Sequence, residues 1–503
     1  MTKTIGTVIS SPEGPSTFKF DFVIKEDSGK IPVNTGQFIQ TQTEQGILIG
    51  RVDEVLKTNR YFMQAESVRE FEKSGRPLNE MFPVDRWEYL VAKTAPLGVY
   101  DAGNIKRVTY PPSPGSKVEK IDKEILNKFL GLDKGGLNIG EISFHDIKAK
   151  VNLTKMFQKH LAILAISGAG KSYLTSVLFE ELLERENKLG KPAVIVIDPH
   201  GEYTGFGNDP KYKNKTRVYS EKDISVGISR LSPYQIMNFL PQMSSAQKRE
   251  LTIIVQNLMK KKKGYGFKEL EEEIENSDAK RVVKDTMISW LGHLKNSKIF
   301  QKYTRPNVKS LAQPGKLSIF DLSQIVSKRD KQILVTYFAS KLFWLRRTGQ
   351  IPPFILVVEE AHQFCPEGVR REGALSRRII ETIAREGRKF HASLVLISQR
   401  PIQLSTTALS QCNTHIIMRV TNPYDLKHIG ESSEGITSDV LKTIPGLRVG
   451  EALIVGEAVN YPLLLQVRER KSKGSEKGIK FEEALLNYEN KEKVKDKDME
   501  TFM

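Results

Sequence analysis

The sequence predicts an α/β fold, strands and helices alternating around a parallel sheet, with a small β-barrel ahead of it and a helical insertion within it. Three observations carry this expectation. An apolar run at Leu161 to Ile166 leads into Ser167-Gly-Ala-Gly-Lys-Ser172 and then into helical apolar spacing at Leu174, Val177, Leu178 and Leu182, a strand–loop–helix unit. From about residue 150 onward, near-continuous apolar runs recur between helix-like segments, as in a sheet covered on both faces. Residues 1 to about 145 read instead as short alternating strands separated by Gly, Pro and Asn turns.

In chain order, Gly6 to Ile9, Phe18 to Ile24 and Gly46 to Val55 are expected barrel strands, and Tyr110-Pro-Pro-Ser-Pro-Gly115 is a connector, because prolines remove the donors a central strand needs. The sheet strands are expected at Leu161 to Ile166, Ala193 to Ile197, Leu317 to Phe320, Phe354 to Val358, Ser393 to Ile397 and Thr414 to Val420. Helix-like segments, clearest at Ser244 to Met259 and Asp278 to Leu294, break the alternation. Ala452 to Val455 and Leu463 to Val467 are two last strands before a charged tail, whose end, Asn490 to Met503, reads as disordered or partner-docked. The domain boundaries follow: barrel 1–145, first part of the α/β core 146–230, helical insertion 231–312, second part of the core 313–467, tail 468–503.

The 503 residues allow about three domains. Lys and Arg total 77 against 60 Asp and Glu, a net charge of +17 that favours a polyanionic partner such as nucleic acid. Cys365 and Cys412 are the only cysteines, far apart in sequence, which argues against a zinc site or disulfide framework and fits a reducing cytoplasm. No apolar stretch approaches the ~18 residues of a membrane span, so a soluble protein with no membrane partner is expected.

The loop Ser167, Gly168, Ala169, Gly170, Lys171, Ser172, with Tyr173 beside it, is a candidate phosphate cradle. Its small residues let backbone N–H groups converge on phosphate oxygens. Lys171 would reach the β- and γ-phosphates of ATP, and Ser172 would ligate Mg²⁺. Ala165 stands where the usual pattern has its first glycine, and a methyl group is small enough to tolerate. The strand Phe354 to Val358 ends in Glu359 and Glu360, a pair suited to holding the metal (Glu359) and polarising the attacking water (Glu360). Asp198, ending the strand Ala193 to Ile197 and opening Asp-Pro-His-Gly-Glu-Tyr203, is a competing metal-side acid. His200 and Glu202 belong to the same loop. Gln399, following Ser393 to Ser398, can sense the γ-phosphate. Arg388, ahead of Arg385, is a candidate to stabilise transition-state charge in a neighbouring subunit. Arg370, Arg371, Arg377 and Arg378 are candidate DNA phosphate contacts, with Lys260 to Lys263, Tyr265 and Phe267 next in line. No base-reading motif is recognisable, so DNA binding is expected to be indifferent to sequence.

In this order, Ala165 to Ser172, Asp198-Pro-His-Gly-Glu, Val357-Val-Glu-Glu-Ala-His362, Glu386-Gly-Arg-Lys389 and Ile397-Ser-Gln-Arg-Pro401 resemble the HerA branch of the HerA/FtsK superfamily. Over nearly the whole chain, the resemblance implies a RecA-like P-loop ATPase core with an N-terminal β-barrel. It further implies a homo-hexameric DNA translocase or helicase that works with a NurA-type nuclease, or a related nuclease complex, in end resection and recombinational repair. Glu359-Glu360 stands where that family commonly has Asp-Glu. The rival readings are a DNA- or protein-transfer ATPase of conjugation or secretion, disfavoured by the missing membrane spans, and a rotary ion-pump subunit, disfavoured by the basic balance and Gln399.

Overall fold

The computed structural model describes residues 3–11, 14–25, 32–59, 88–261, 264–433 and 435–475, with scattered positions within 69–73 and 482–488. The expectation for residues 490–503 and the residues Lys262 and Lys263 lie outside the described residues. The chain divides into two compact units: Met1–Lys134 with Gly140–Lys150 and Val459–Gln466, and Gly135–Ile139 with Val151–Ala458 and Val467–Met503.

In the first unit, six antiparallel strands close on themselves. Thr4–Ile9 pairs with Phe20–Ile24, which pairs with Glu88–Asp101; that strand pairs with Gly46–Asn59, which continues through Phe38–Thr43 and Lys117–Lys120 back to Thr4–Ile9. Closure pairs each of these six strands on both sides, and the short exposed strand Asn104–Lys106 is added beside Glu88–Asp101. Alternation places Ile5, Val8, Phe20, Phe22, Leu48 and Val118 in the interior. The proline-rich Tyr110–Gly115 stretch forms no strand.

In the second unit, eight strands lie in the order Thr216–Tyr219, Leu317–Asp321, Ala193–Asp198, Phe354–Val358, Ala392–Ser398, Leu161–Leu164, Thr414–Ile417, Glu451–Gly456. All pairings are parallel except the last. The regular strand ends at Leu164, two residues short of the expected Ile166, although the Ala165 and Ile166 amides still bond the Ser398 and Arg419 carbonyls at the ends of the flanking strands, at 3.2 and 3.0 Å. Likewise Thr414–Ile417 ends short of Val420. The helix Lys171–Glu184 presents Leu174, Val177, Leu178 and Leu182 to the core, each at most 2% exposed. Burial of each such side chain is worth about 1.5–3 kcal/mol.

Between the adjacent strands Thr216–Tyr219 and Leu317–Asp321 the chain makes the helices Pro233–Phe239, Ser245–Lys261, Phe267–Glu275 and Arg281–Lys295. Leu251, Ile254, Val255, Leu270, Ile274, Met287 and Leu291 give them their own apolar seam. A core strand pair can thus be joined through a long insertion without disturbing its register.

Candidate nucleotide-binding site

Parallel strands deliver their carboxyl ends to one edge of the sheet, where ligands of open α/β sheets bind. The phosphate loop, Glu359 and Glu360, Gln399 and the Asp198 loop all follow strand ends on that edge. Gln399 follows the strand that lies between the loop strand and the acid-bearing strand, a position sequence spacing does not reveal.

Gly168 and Gly170 have φ of +79° and +104°, conformations that a Cβ disfavours. Gly170 caps Lys171–Glu184 with no side-chain hydrogen bond, leaving the first helical amides for an external anion. Ala165 is fully buried and not in the left-handed region, so its methyl group replaces glycine without strain.

Lys171 is 7% exposed, with its Nζ 3.2 Å from Glu359 Oε1 and donating to Glu360 Oε1 at 3.0 Å. Successive strand residues point to opposite faces. Both acids reach one ammonium because Glu360 adopts φ +50°, ψ +46°, a left-handed conformation that turns the chain into the short helix Ala361–Phe364. Such strain costs about 1–3 kcal/mol and concentrates at functional sites. Burial works to lower the Lys171 pKa, but the Glu359 and Glu360 charges outweigh it and raise it, keeping the ammonium charged. Burial pushes the fully buried Glu359 carboxyl up to about 7 against the pull of Lys171.

Tyr203 donates its hydroxyl to Glu359 Oε2 at 2.8 Å, and the Ser172 hydroxyl donates to Glu202. His362 Nδ1 lies 3.3 Å from Glu360 Oε2 and 3.2 Å from Ser398 Oγ, and burial lowers its pKa. Tyr203 and His362 are site residues whose role sequence reasoning missed. Both follow recognisable motif acids by a few positions, but nothing in the spacing shows which way they fold back. Asp198, the competing metal-side acid, is otherwise engaged. Its Oδ1 accepts the amides of His200, Gly201 and Glu202 at 3.3, 2.7 and 3.1 Å, and its Oδ2 that of Tyr203 at 3.0 Å. Asp198 therefore folds the loop that aims Glu202 and Tyr203, while the His200 side chain is exposed.

The family model for the central domain of helicase HerA matches residues 137–342. The DNA double-strand break repair helicase HerA of Pyrococcus furiosus is 26% identical, over 86% of this chain and 88% of its own. A probable helicase of Methanocaldococcus jannaschii is also 26% identical, over 95% of this chain and 98% of its own. Over most of its length the chain is similar to helicases of the HerA branch of the HerA/FtsK superfamily. The solved structure of VirB4 of Thermoanaerobacter pseudethanolicus superposes with a TM-score of 0.53 at 18% identity, covering 67% of this chain and 98% of that one, a likeness of P-loop fold.

The remaining candidates lie on other elements. Arg385 and Arg388 are exposed, and the turn Gly387–Phe390 leads into the amino end of Ala392–Ser398. Seven strand residues span ~23 Å, so Arg388 sits across the sheet from the cradle of its own chain. Arg370 is exposed, Arg371 opens the turn Arg371–Gly373, and Arg378 stacks 5.9 Å over Tyr234. Arg377 departs from the expectation of a free phosphate contact. Its Nε donates to Glu381 at 2.7 Å and its Nη2 lies 3.6 Å from Glu367. Among the reserve residues, Lys261 pairs with Glu273 at 2.7 Å, and Tyr265 is buried with its hydroxyl on the Leu231 carbonyl, so it offers no stacking face. Cys365 and Cys412 are buried free thiols, with burial pushing Cys365 up to about 12. No helix among the described residues is long and apolar enough to cross a membrane.

Proposed function

We propose that this protein is an ATP-dependent DNA translocase or helicase of double-strand break repair, working as a homo-hexamer with a NurA-type nuclease. The observation that carries the reading is the buried Lys171 held between Glu359 and Glu360 beside an uncapped, glycine-shaped helix start. The relatives' names supply the DNA and repair context.

The residues fit both ATP and Mg²⁺. Glu359 Oε1 and Glu360 Oε2 are buried and make no hydrogen bond among the described residues, meeting instead the charge of Lys171 at 3.2 Å and the His362 ring at 3.3 Å, and Ser172 offers a hydroxyl oxygen. No described cluster of three or more His, Cys, Asp and Glu could hold a metal by itself, and Mg²⁺ commonly takes one or two protein ligands with phosphates and water. Ser172 and Glu359 would hold it, and it would supply charge neutralisation on the β- and γ-phosphoryl oxygens. Lys171 turns from the acid pair to the phosphates, and the helix amides bind them. Glu360 is freed to orient the attacking water and accept its proton, His362 holding the far carboxylate oxygen. Gln399 reports the γ-phosphate to the segment after it. The position of Arg388 across the sheet suits an arginine offered to a neighbouring subunit, Arg385 being second choice. Arg370, Arg371 and Arg378 contact DNA phosphates, and the barrel docks the nuclease.

DNA-stimulated ATP turnover in the purified protein tests this reading. A rate that duplex or single-stranded DNA raises severalfold is expected, and turnover indifferent to any DNA would sink it.

A further inference from the structure

The charged stretch beginning at Arg468 is bound along the helix that starts with Lys171. Fully buried Glu180 accepts from Arg468 Nη1 at 2.8 Å, and its other oxygen takes the amides of Lys471 and Ser472 at 2.8 and 2.7 Å and the Ser472 hydroxyl at 2.8 Å. Arg468 Nη2 donates to Glu181 at 2.8 Å, and Lys471 to Glu184 at 2.7 Å. The same stretch is tied to the phosphate loop: Val467 N bonds Gly450 O at 2.8 Å, and Gly450 N bonds Ala169 O at 3.3 Å. Between these anchors, Arg470 N donates to the Tyr173 hydroxyl at 2.6 Å, and the Arg470 guanidinium lies 5.4 Å over the Tyr173 ring. A buried carboxylate with four donors is a costly way to fasten a surface strand, and what it fixes is a planar cation on an aromatic ring, 37% exposed, next to Ser172.

Neighbouring helix positions point ~100° apart. Lys171 and Ser172 face the acids Glu359, Glu360 and Glu202, whereas Tyr173 faces Arg470. A triphosphate whose terminal group meets the acids leaves its nucleoside on the other flank. We propose that Arg470 and Tyr173 form the platform on which the base of the bound nucleotide stacks, and so set the preference for a nucleoside over bare polyphosphate. This rests on the cradle binding ATP. The guanidinium plane and phenol ring supply flat polarisable faces, and the strap holds them in register before the nucleotide arrives.

Titration calorimetry of the full-length protein with MgATP and with magnesium tripolyphosphate tests the platform. Arg470→Ala and Tyr173→Leu are expected to weaken ATP about tenfold while leaving tripolyphosphate affinity within twofold, because base stacking is lost and the cradle is kept. Tyr173→Phe keeps the ring and should stay near the wild type, and Arg470→Lys, which keeps charge but not the plane, should resemble Arg470→Ala. Equal losses for both ligands would show that the strap only shapes the cradle, and unchanged ATP affinity in both Arg470→Ala and Tyr173→Leu would remove the pair from the site. Either result overturns the platform while leaving the nucleotide site standing. A wild-type protein that binds neither ligand would overturn both.

Discussion

Glu360 shows how a single backbone conformation makes this site. In an ordinary strand ending, Glu359 and Glu360 would diverge; the left-handed turn at Glu360 brings both to Lys171. The identity of the acids was legible in the sequence from their place at the end of an apolar strand, but the turn was not, because no local propensity marks a strained glutamate. The same limit explains Asp198. Sequence shows an acid at a strand end and cannot show that four amides claim it. Asp198→Ala should destabilise the protein by about 3 kcal/mol, since buried amides left unpaired cost ~1–3 kcal/mol each and some regain water. Asp198→Asn, which keeps an acceptor oxygen, should cost less. Denaturant unfolding measures both, and a near-neutral Asp198→Ala would return that residue to the candidate metal-side acids. Glu359 carries a pH signature. Its folded pKa of about 7 exceeds the ordinary 4.5, so the folded state binds the proton more tightly. The stability it confers is full below about pH 4.5 and is lost as pH rises through about 7. Glu359→Gln should flatten that part of the stability profile of the nucleotide-free protein, and a profile unchanged by the substitution would contradict the assigned shift.

At the scale of elements, strands were the most legible feature. Phe354–Val358 and Leu463–Val467 have the bounds expected for them: the first is buried throughout and carries continuous apolar sequence, whereas the second alternates, with Gln466 exposed. Sheet order was not legible: nothing in the spacing places Ala392–Ser398 between the loop strand and the acid strand, since pairing is settled by crossovers and packing. In the sequence, Arg468 to Lys473 reads only as the start of a charged tail, and its attachment to Glu180 depends on a partner almost 300 positions away. Helix Arg377–Glu386 and the loop before it illustrate why charge clusters must be sorted by their pairing. Removing Arg370, Arg371 and Arg378 should weaken DNA binding alike on all sequences and lower the slope of log affinity against log salt by ~0.9 for each duplex phosphate that is no longer neutralised. Arg377→Ala should leave the slope unchanged, because Glu381 and Glu367 hold that guanidinium. Salt titrations with two unrelated duplexes decide it, and an unchanged slope in the triple variant would move the grip elsewhere.

For the whole molecule, the proposed function is an ATP-driven motor in which Lys171 binds the nucleotide, Glu360 drives its hydrolysis, and an arginine from a neighbouring subunit completes the site. A head-to-tail interface that closes makes a ring, and Arg388 stands on the side of the sheet away from its own cradle. Rings assembled from mixed Arg388→Ala and Lys171→Ala chains should recover part of the activity that each variant lacks alone, because some interfaces unite an intact arginine with an intact cradle. Mixed rings as inactive as the parents would remove Arg388 from that role. The most direct measurement compares nucleotide binding and turnover, side by side, in Lys171→Ala and Glu360→Gln. Lys171→Ala is expected to bind no ATP, whereas Glu360→Gln should bind it as the wild type does and hydrolyse it about 10²–10⁴-fold more slowly in the presence of DNA. Glu360→Gln turning over ATP at the wild-type rate would contradict the role given to Glu360.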